Sequence, residues 1–168
     1  MIERRTQVLV SSVRKLARRG AWKNIERILR KAHTADLGAL LQGLEADERL
    51  PVFRLIQPLD RRAGVLSYLE LETQAELLLA LERKDAHQLV EKMDSDDAAD
   101  LLGHIPDDVS KEILDSMVEE SSEEVADLMQ YPDDSAGGLM SSDFLPLKEE
   151  MTVSEAIHEI QSQKEDAV

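Results

Sequence analysis

The sequence repeats itself about every 24 residues, and that period constrains the fold more than any other feature. Taking Leu44, Leu69, Met93 and Met117 as anchors gives spacings of 25, 24 and 24. Three residues before each anchor stand Leu41, Leu66, Val90 and Leu114. Eight after stand Val52, Leu77, Leu101 and Val125; twelve after stand Ile56, Leu81, Ile105 and Met129. Apolar residues at steps of three and four line one face of a helix. A polar break follows each anchor, as in EADE at 45–48 and DSDD at 94–97. Each unit therefore reads as a helix, a tight turn and a second helix. One hairpin cannot bury both of its faces, so neighbours must stack. Pro51 falls where the second helix of the first unit should be under way. Proline is tolerated only in a first turn, so that helix is expected to start late. The expected fold class is all-α, a superhelical stack of helical hairpins over residues 33–130.

Aromatics make up 3% of the chain and hydrophobic residues 42%, so the core must be aliphatic. The absence of cysteine excludes a disulfide framework and thiolate metal sites and is compatible with the cytosol. No apolar run reaches the roughly 18 residues of a membrane helix. The N-terminus, MIERRTQVLVSSVRKLARRG, lacks a small-residue cleavage site after its apolar patch, so no secretory signal is expected. The chain is read as soluble. The net charge of −15 is uneven: residues 1–31 carry ten Lys or Arg and two Glu, which is +8, and the remainder carries −23. The acidic body repels nucleic acid and attracts cations. The basic helical segment, residues 1–32, has three conceivable partners: nucleic acid, an anionic membrane surface, or the chain's own acidic body. The last, or a simply solvated face, is favoured, because such asymmetry is often satisfied internally.

Residues 131–142 form a junction that begins YPDDSAGGLMSS. A phosphate-binding loop would need a preceding buried strand and a lysine, and neither is present. Gly137 and Gly138 instead read as a joint, a helix cap and turn with positive φ expected at one of them. Beyond it, FLPL at 144–147 suits a short strand, with Pro146 at an edge position. Thr152 and Glu155 form a T-x-x-E capping box, starting a helix with Val153, Ala156, Ile157 and Ile160 on one face. A strand and a helix cannot close a domain, so residues 143–168 read as part of something larger.

The stretch YPDDSAGGLMSSDF resembles the junction of MgtE-type magnesium transporters, where an acidic turn runs into A-G-x-L-M and then a CBS domain. The hairpins, including MDSDDAADLLGHIP at 93–106, resemble that family's N-terminal cytosolic domain. FLPLKEEMTVSEAIHEIQ is similar to the opening strand and helix of a first CBS motif. The resemblance covers roughly residues 33–160. It implies a magnesium-sensing regulatory region on the cytoplasmic face of the membrane, with Mg2+ as its ligand. It also implies, as partners, the rest of the CBS domain and a transmembrane pore domain in a homodimeric full-length protein, with no nucleic acid. Cations held between hairpin domain and CBS domain would favour the closed state.

The ligands implied by the resemblance are Asp96 and Asp100 in DSDDAAD, with a backbone carbonyl near Gly138. Gly64 stands where some relatives offer a carboxylate, so some of the family's cations are expected to be missing or weaker here. Asp96 and Asp100 are four apart and share a helix face, where like charges cost a few tenths of a kcal/mol that a dication would relieve. The repeat argues the other way. Asp47, Glu72, Asp96 and Glu120 all lie three after an anchor, and Glu76, Asp100 and Glu124 lie seven after. An acid at the first of these positions also favours a helix N-terminus through its dipole.

Other chemistry is sparse. His33, His87, His104 and His158 show no H-E-x-x-H spacing. No nucleophile with an orienting base can be named, so no enzyme is expected. Trp22 with Ile25, Ile28 and Leu29 reads as a packing stripe. The alternative function is a superhelical protein–protein interaction module without metal sensing.

Overall fold

The computed structural model describes residues 2–132, 135–140 and 145–166, with side chains over 6–132, 135–140 and 145–161. Among the described residues there are eleven helices and no strand. They are α1 (Ile2–Ala17), α2 (Trp22–Leu29), α3 (Thr34–Gln42), α4 (Ala46–Phe53), α5 (Leu59–Leu66), α6 (Leu71–Leu79), α7 (Arg83–Val90), α8 (Ser95–His104), α9 (Asp107–Ser116), α10 (Glu119–Leu128) and α11 (Val153–Asp166).

All four anchors sit in the turn between the two helices of a hairpin. The amides of Leu44, Leu69, Met93 and Met117 donate to the carbonyls of Leu41, Leu66, Val90 and Leu114 at 3.1, 2.9, 3.0 and 3.2 Å. The spacing of three is thus the closing turn of the first helix, tightened to satisfy a carbonyl that helix geometry leaves orphaned. The second helix begins two residues after each anchor. Asp47, Glu72, Asp96 and Glu120 are each its second residue, against the positive end of the helix dipole.

The helices pack in two layers. α1 lies on α3, α3 on α5, α5 on α7 and α7 on α9, while α6 lies on α8 and α8 on α10. Between the layers the repeat's apolar positions are buried: Leu41, Leu66 and Val90, then Val52, Leu77, Leu101 and Val125. The basic segment is the first layer of this stack. α1 and α2 bury Val13, Ile25 and Leu29, whereas Trp22 at the edge of the expected stripe stays exposed. The Arg14 Nε donates to Glu48 Oε2 at 2.8 Å, and Glu45 lies 3.6 Å away. The hydrogen bond to Glu48 raises the pKa of the Arg14 guanidinium, so one cation of the basic segment does dock on the acidic body.

Two local expectations fail. Pro51 is the sixth residue of α4, so that helix does not start late. The proline removes the amide that would have reached the Asp47 carbonyl. The turn persists because Glu45 and Glu48 close a capping box at its start and because Val52 and Phe53, just after the proline, are fully buried. Residues 145–147 take no strand conformation, and Phe144 lies outside the described residues. A strand is defined by its ladder, and no described segment pairs with this one. The helix after it forms where the capping box places it: the Thr152 amide and hydroxyl both donate to Glu155 Oε2, at 2.8 and 2.7 Å.

Candidate functional site

Asp96 and Asp100 are the second and sixth residues of α8, one turn apart on the side that faces the end of α10. Asp96 is half-buried and Asp100 exposed. The N-terminus of α8 is tied to α10 by the Ser95 hydroxyl, which donates to Glu124 Oε2 at 2.9 Å. Past α10 the chain turns back toward α8. The Ser135 amide donates to the Pro132 carbonyl at 2.9 Å, and the Leu139 amide to the Ser135 carbonyl at 3.1 Å. The Gly138 amide donates to the Ser135 hydroxyl at 3.1 Å. A serine capping an amide three residues on is ordinary helix-start chemistry, and here it winds the junction into a turn.

That turn closes one side of a cavity of about 70 Å³. Asp96, Asp100 and Gly138, the three residues expected at the site, all line it. Leu71, Leu128, Met129 and Tyr131 supply apolar walls, and His104, one turn beyond Asp100, stands at its edge. His104 and Tyr131 were not expected there. Both sit in ordinary helical or turn patterns, and only the packing of α8 on α10 brings them together.

The expectation of positive φ fails at Gly137, which has ordinary backbone geometry; the described glycine with positive φ is Gly20, at +66°. What Gly137 supplies is closeness. A Cβ there would overlap the ring of Tyr131. The junction is therefore a packed turn, with a glycine chosen for space.

The repeat's other acids show what this position does when it is structural. Glu76, the counterpart of Asp100 in the second hairpin, pairs with Arg49 at 3.2 Å. Glu124, its counterpart in the last, accepts from Ser95. Both tie a second helix to the one before it. Asp100, in addition to any such tie, lines a cavity that a backbone turn also enters. Two carboxylates and a carbonyl are hard oxygen donors of the kind that suit Mg2+, which keeps waters in its remaining octahedral positions. Among the described residues no three His, Asp or Glu converge closely enough to hold a metal by themselves. Gly64, on α5, faces Thr34 Cγ2, which a Cβ would meet at 3.7 Å, so the position offers no ligand. His87 lies on α7, away from this cavity, its Nε2 3.9 Å from Glu112 Oε1.

Among the described residues no helix is long and apolar enough to cross a membrane. Comparison with curated protein sequences returns no match. Among solved structures, the chain is similar to the cytosolic domain of the Mg2+ channel MgtE in complex with ATP, with 29% identity and a TM-score of 0.79. The match covers 94% of this chain and 64% of that one. The soluble part of a magnesium transporter shares the fold, at 18% identity and a TM-score of 0.79, covering 95% of this chain and 63% of that one. The chain thus spans just under two thirds of the length of each. Residues 32–134, well over half of the chain, match the family model described as the MgtE intracellular N domain, and to that family this chain belongs.

Proposed function

We propose that this chain is a magnesium-responsive regulatory region on the cytoplasmic face of a magnesium transporter. Residues 33–130 act as the hairpin sensor, 131–142 as its joint, and 143–168 as the start of a CBS motif, in a protein that works as a dimer. The observation that supports this reading is the meeting of Asp96, Asp100 and the Gly137–Gly138 turn at one cavity, on a body carrying −23. Asp96 and Asp100 offer one face of a cation shell, and the Gly138 carbonyl offers a third oxygen. Acids on an opposing CBS surface and waters would complete six ligands. With cation present, the two acidic surfaces no longer repel and the compact, pore-closing arrangement is favoured. Without it they separate, and the pore reads that equilibrium. Because this chain supplies only part of the shell, its own affinity for Mg2+ is weak.

The test is a magnesium titration read by protease protection across residues 131–140, on this chain and on a chain extended through a CBS pair. Protection should appear at far lower Mg2+ in the extended chain. Asp96→Asn with Asp100→Asn should abolish it and leave the helical circular dichroism unchanged. Asp115→Asn with Asp127→Asn, an equal charge change elsewhere on the stack, should retain it. Equal loss from that second pair would mean bulk screening, and the site assignment would be wrong.

A further inference from the structure

We propose that the corner between α1 and α2 is a docking site for an anionic lipid bilayer. α1 ends in a tight reversal: Gly20 takes φ +66°, the Ala21 amide donates to the Leu16 carbonyl at 3.0 Å, and the Gly20 amide donates to the Ala17 carbonyl at 2.9 Å. This double bond pattern around a left-handed glycine stops a helix within one residue. It brings Lys15, Arg18 and Arg19, at the foot of α1, beside Trp22 and Lys23 at the head of α2. Arg27 follows one helical turn on.

These five cations are all exposed, and none has an ion-pair partner among the described residues. Their neighbours differ. Arg14 is taken up by Glu48, and Arg30 by Glu26 at 2.9 Å. Ile25 and Leu29 hold α2 to the core, while Trp22, next in sequence to Lys23, remains 41% exposed. Val8, on the outer side of α1, is 62% exposed beside an apolar groove that Leu9 and Ile28 also line.

One feature favours a bilayer over other polyanions, and a second sets which face it would hold. A partly exposed indole between Arg18, Arg19 and Lys23 in the sequence suits the boundary between headgroups and acyl chains. The rest of the chain, at −23, is repelled by an anionic surface, so the corner is the face that such a surface would hold, and the orientation is fixed. This argument stands without the cation site: failure of the vesicle test leaves the magnesium titration untouched, and the reverse.

The test is sedimentation of this chain with phosphatidylcholine vesicles, with and without phosphatidylglycerol, at low salt and with a chelator present. Trp22 is the chain's single tryptophan, so its emission reports the corner directly. The expected result is binding to anionic vesicles alone, a blue shift of Trp22, and loss of both as salt rises. Each basic residue near an anionic surface contributes about a fivefold effect, so Arg18→Gln with Arg19→Gln and Lys23→Gln should lower partitioning about 100-fold. Lys84→Gln with Lys111→Gln and Lys148→Gln, also exposed, should change it less than about twofold by the same measure. No binding to phosphatidylglycerol vesicles, or an equal loss from the second triple, overturns the proposal. So does a single-stranded RNA that displaces the vesicles while Trp22 emission stays unshifted in every mixture, since the corner would then be a general polyanion surface.

Discussion

Gly137 lies so close to Tyr131 that a methyl group on its Cα would overlap the ring at Cγ and Cδ1. The contact joins the two ends of the junction turn and forms one wall of the acidic cavity. Gly137→Ala should therefore open the turn. Tyr131 is 48% exposed and can swing away, so the cost should sit at the low end of overpacking, about 1 kcal/mol. The measurement is protease susceptibility across residues 131–140. In a Tyr131→Ala background the same change should cost almost nothing. An undiminished cost there would show that the backbone, not the ring, demands glycine.

Three arginines close the stack's turns by donating to carbonyls at and just past helix ends. Arg49 reaches the carbonyls of Leu41 and Leu44, both at 3.0 Å. Arg61 reaches those of Leu29 and Ala32. Arg62 is the most enclosed, with its guanidinium over the Phe53 ring and its donors 3.0 Å from the carbonyls of Ile56 and Arg54. Burial pulls its pKa down, yet a guanidinium stays charged at physiological pH. Arg62→Leu strands two carbonyls and should cost about 2–3 kcal/mol in denaturant unfolding. Arg62→Lys should fall between, since one ammonium cannot replace the fork. Arg30→Leu, on the surface, should shift stability by less than about 0.5 kcal/mol.

What was legible in the sequence was whatever repeats. The steps of three and four marked both helices of each hairpin, and the anchors fell in the turns. The recurrence of acids three after each anchor already pointed to a helix N-terminus, and each is the second residue of its helix. Features set by a single tertiary contact were not legible. Pro51 obeys the local rule only until Val52 and Phe53 are buried, and then the rule yields. A glycine pair reads the same whether it supplies a positive φ or space beside a ring, and here Tyr131 decides. Nothing in the sequence marks the roles of Arg61 and Arg62, because the carbonyls they reach are brought to them only by the packed turns. The three oxygen ligands expected at the site came from family resemblance; His104 and Tyr131, which share the cavity, needed the packing of α8 and α10 to be seen.

The α11 capping box should give the chain a local acid response. Glu155 accepts from the amide and the hydroxyl of Thr152, while its own amide donates back to the Thr152 hydroxyl at 3.3 Å. The backbone bond, then the hydroxyl bond, hold the Glu155 pKa below the ordinary glutamate range. A depressed carboxylate stabilises the folded form at every pH above its unfolded pKa, and that contribution fades as pH falls through the folded value. The start of α11 should therefore fray only on acidification below the ordinary glutamate range, and be indifferent to pH near neutrality. Amide chemical shifts of Thr152 and Glu155, followed by NMR down the acid limb, would read this directly. Glu155→Gln keeps an acceptor but removes the charge, so the first turn should be weaker at neutral pH and its acid response should vanish. A Thr152 amide that titrates unchanged in that variant would mean the proton goes on elsewhere, with Glu149, Glu150 and Glu159 the nearest carboxyls in sequence, and the capping box would not be the sensor.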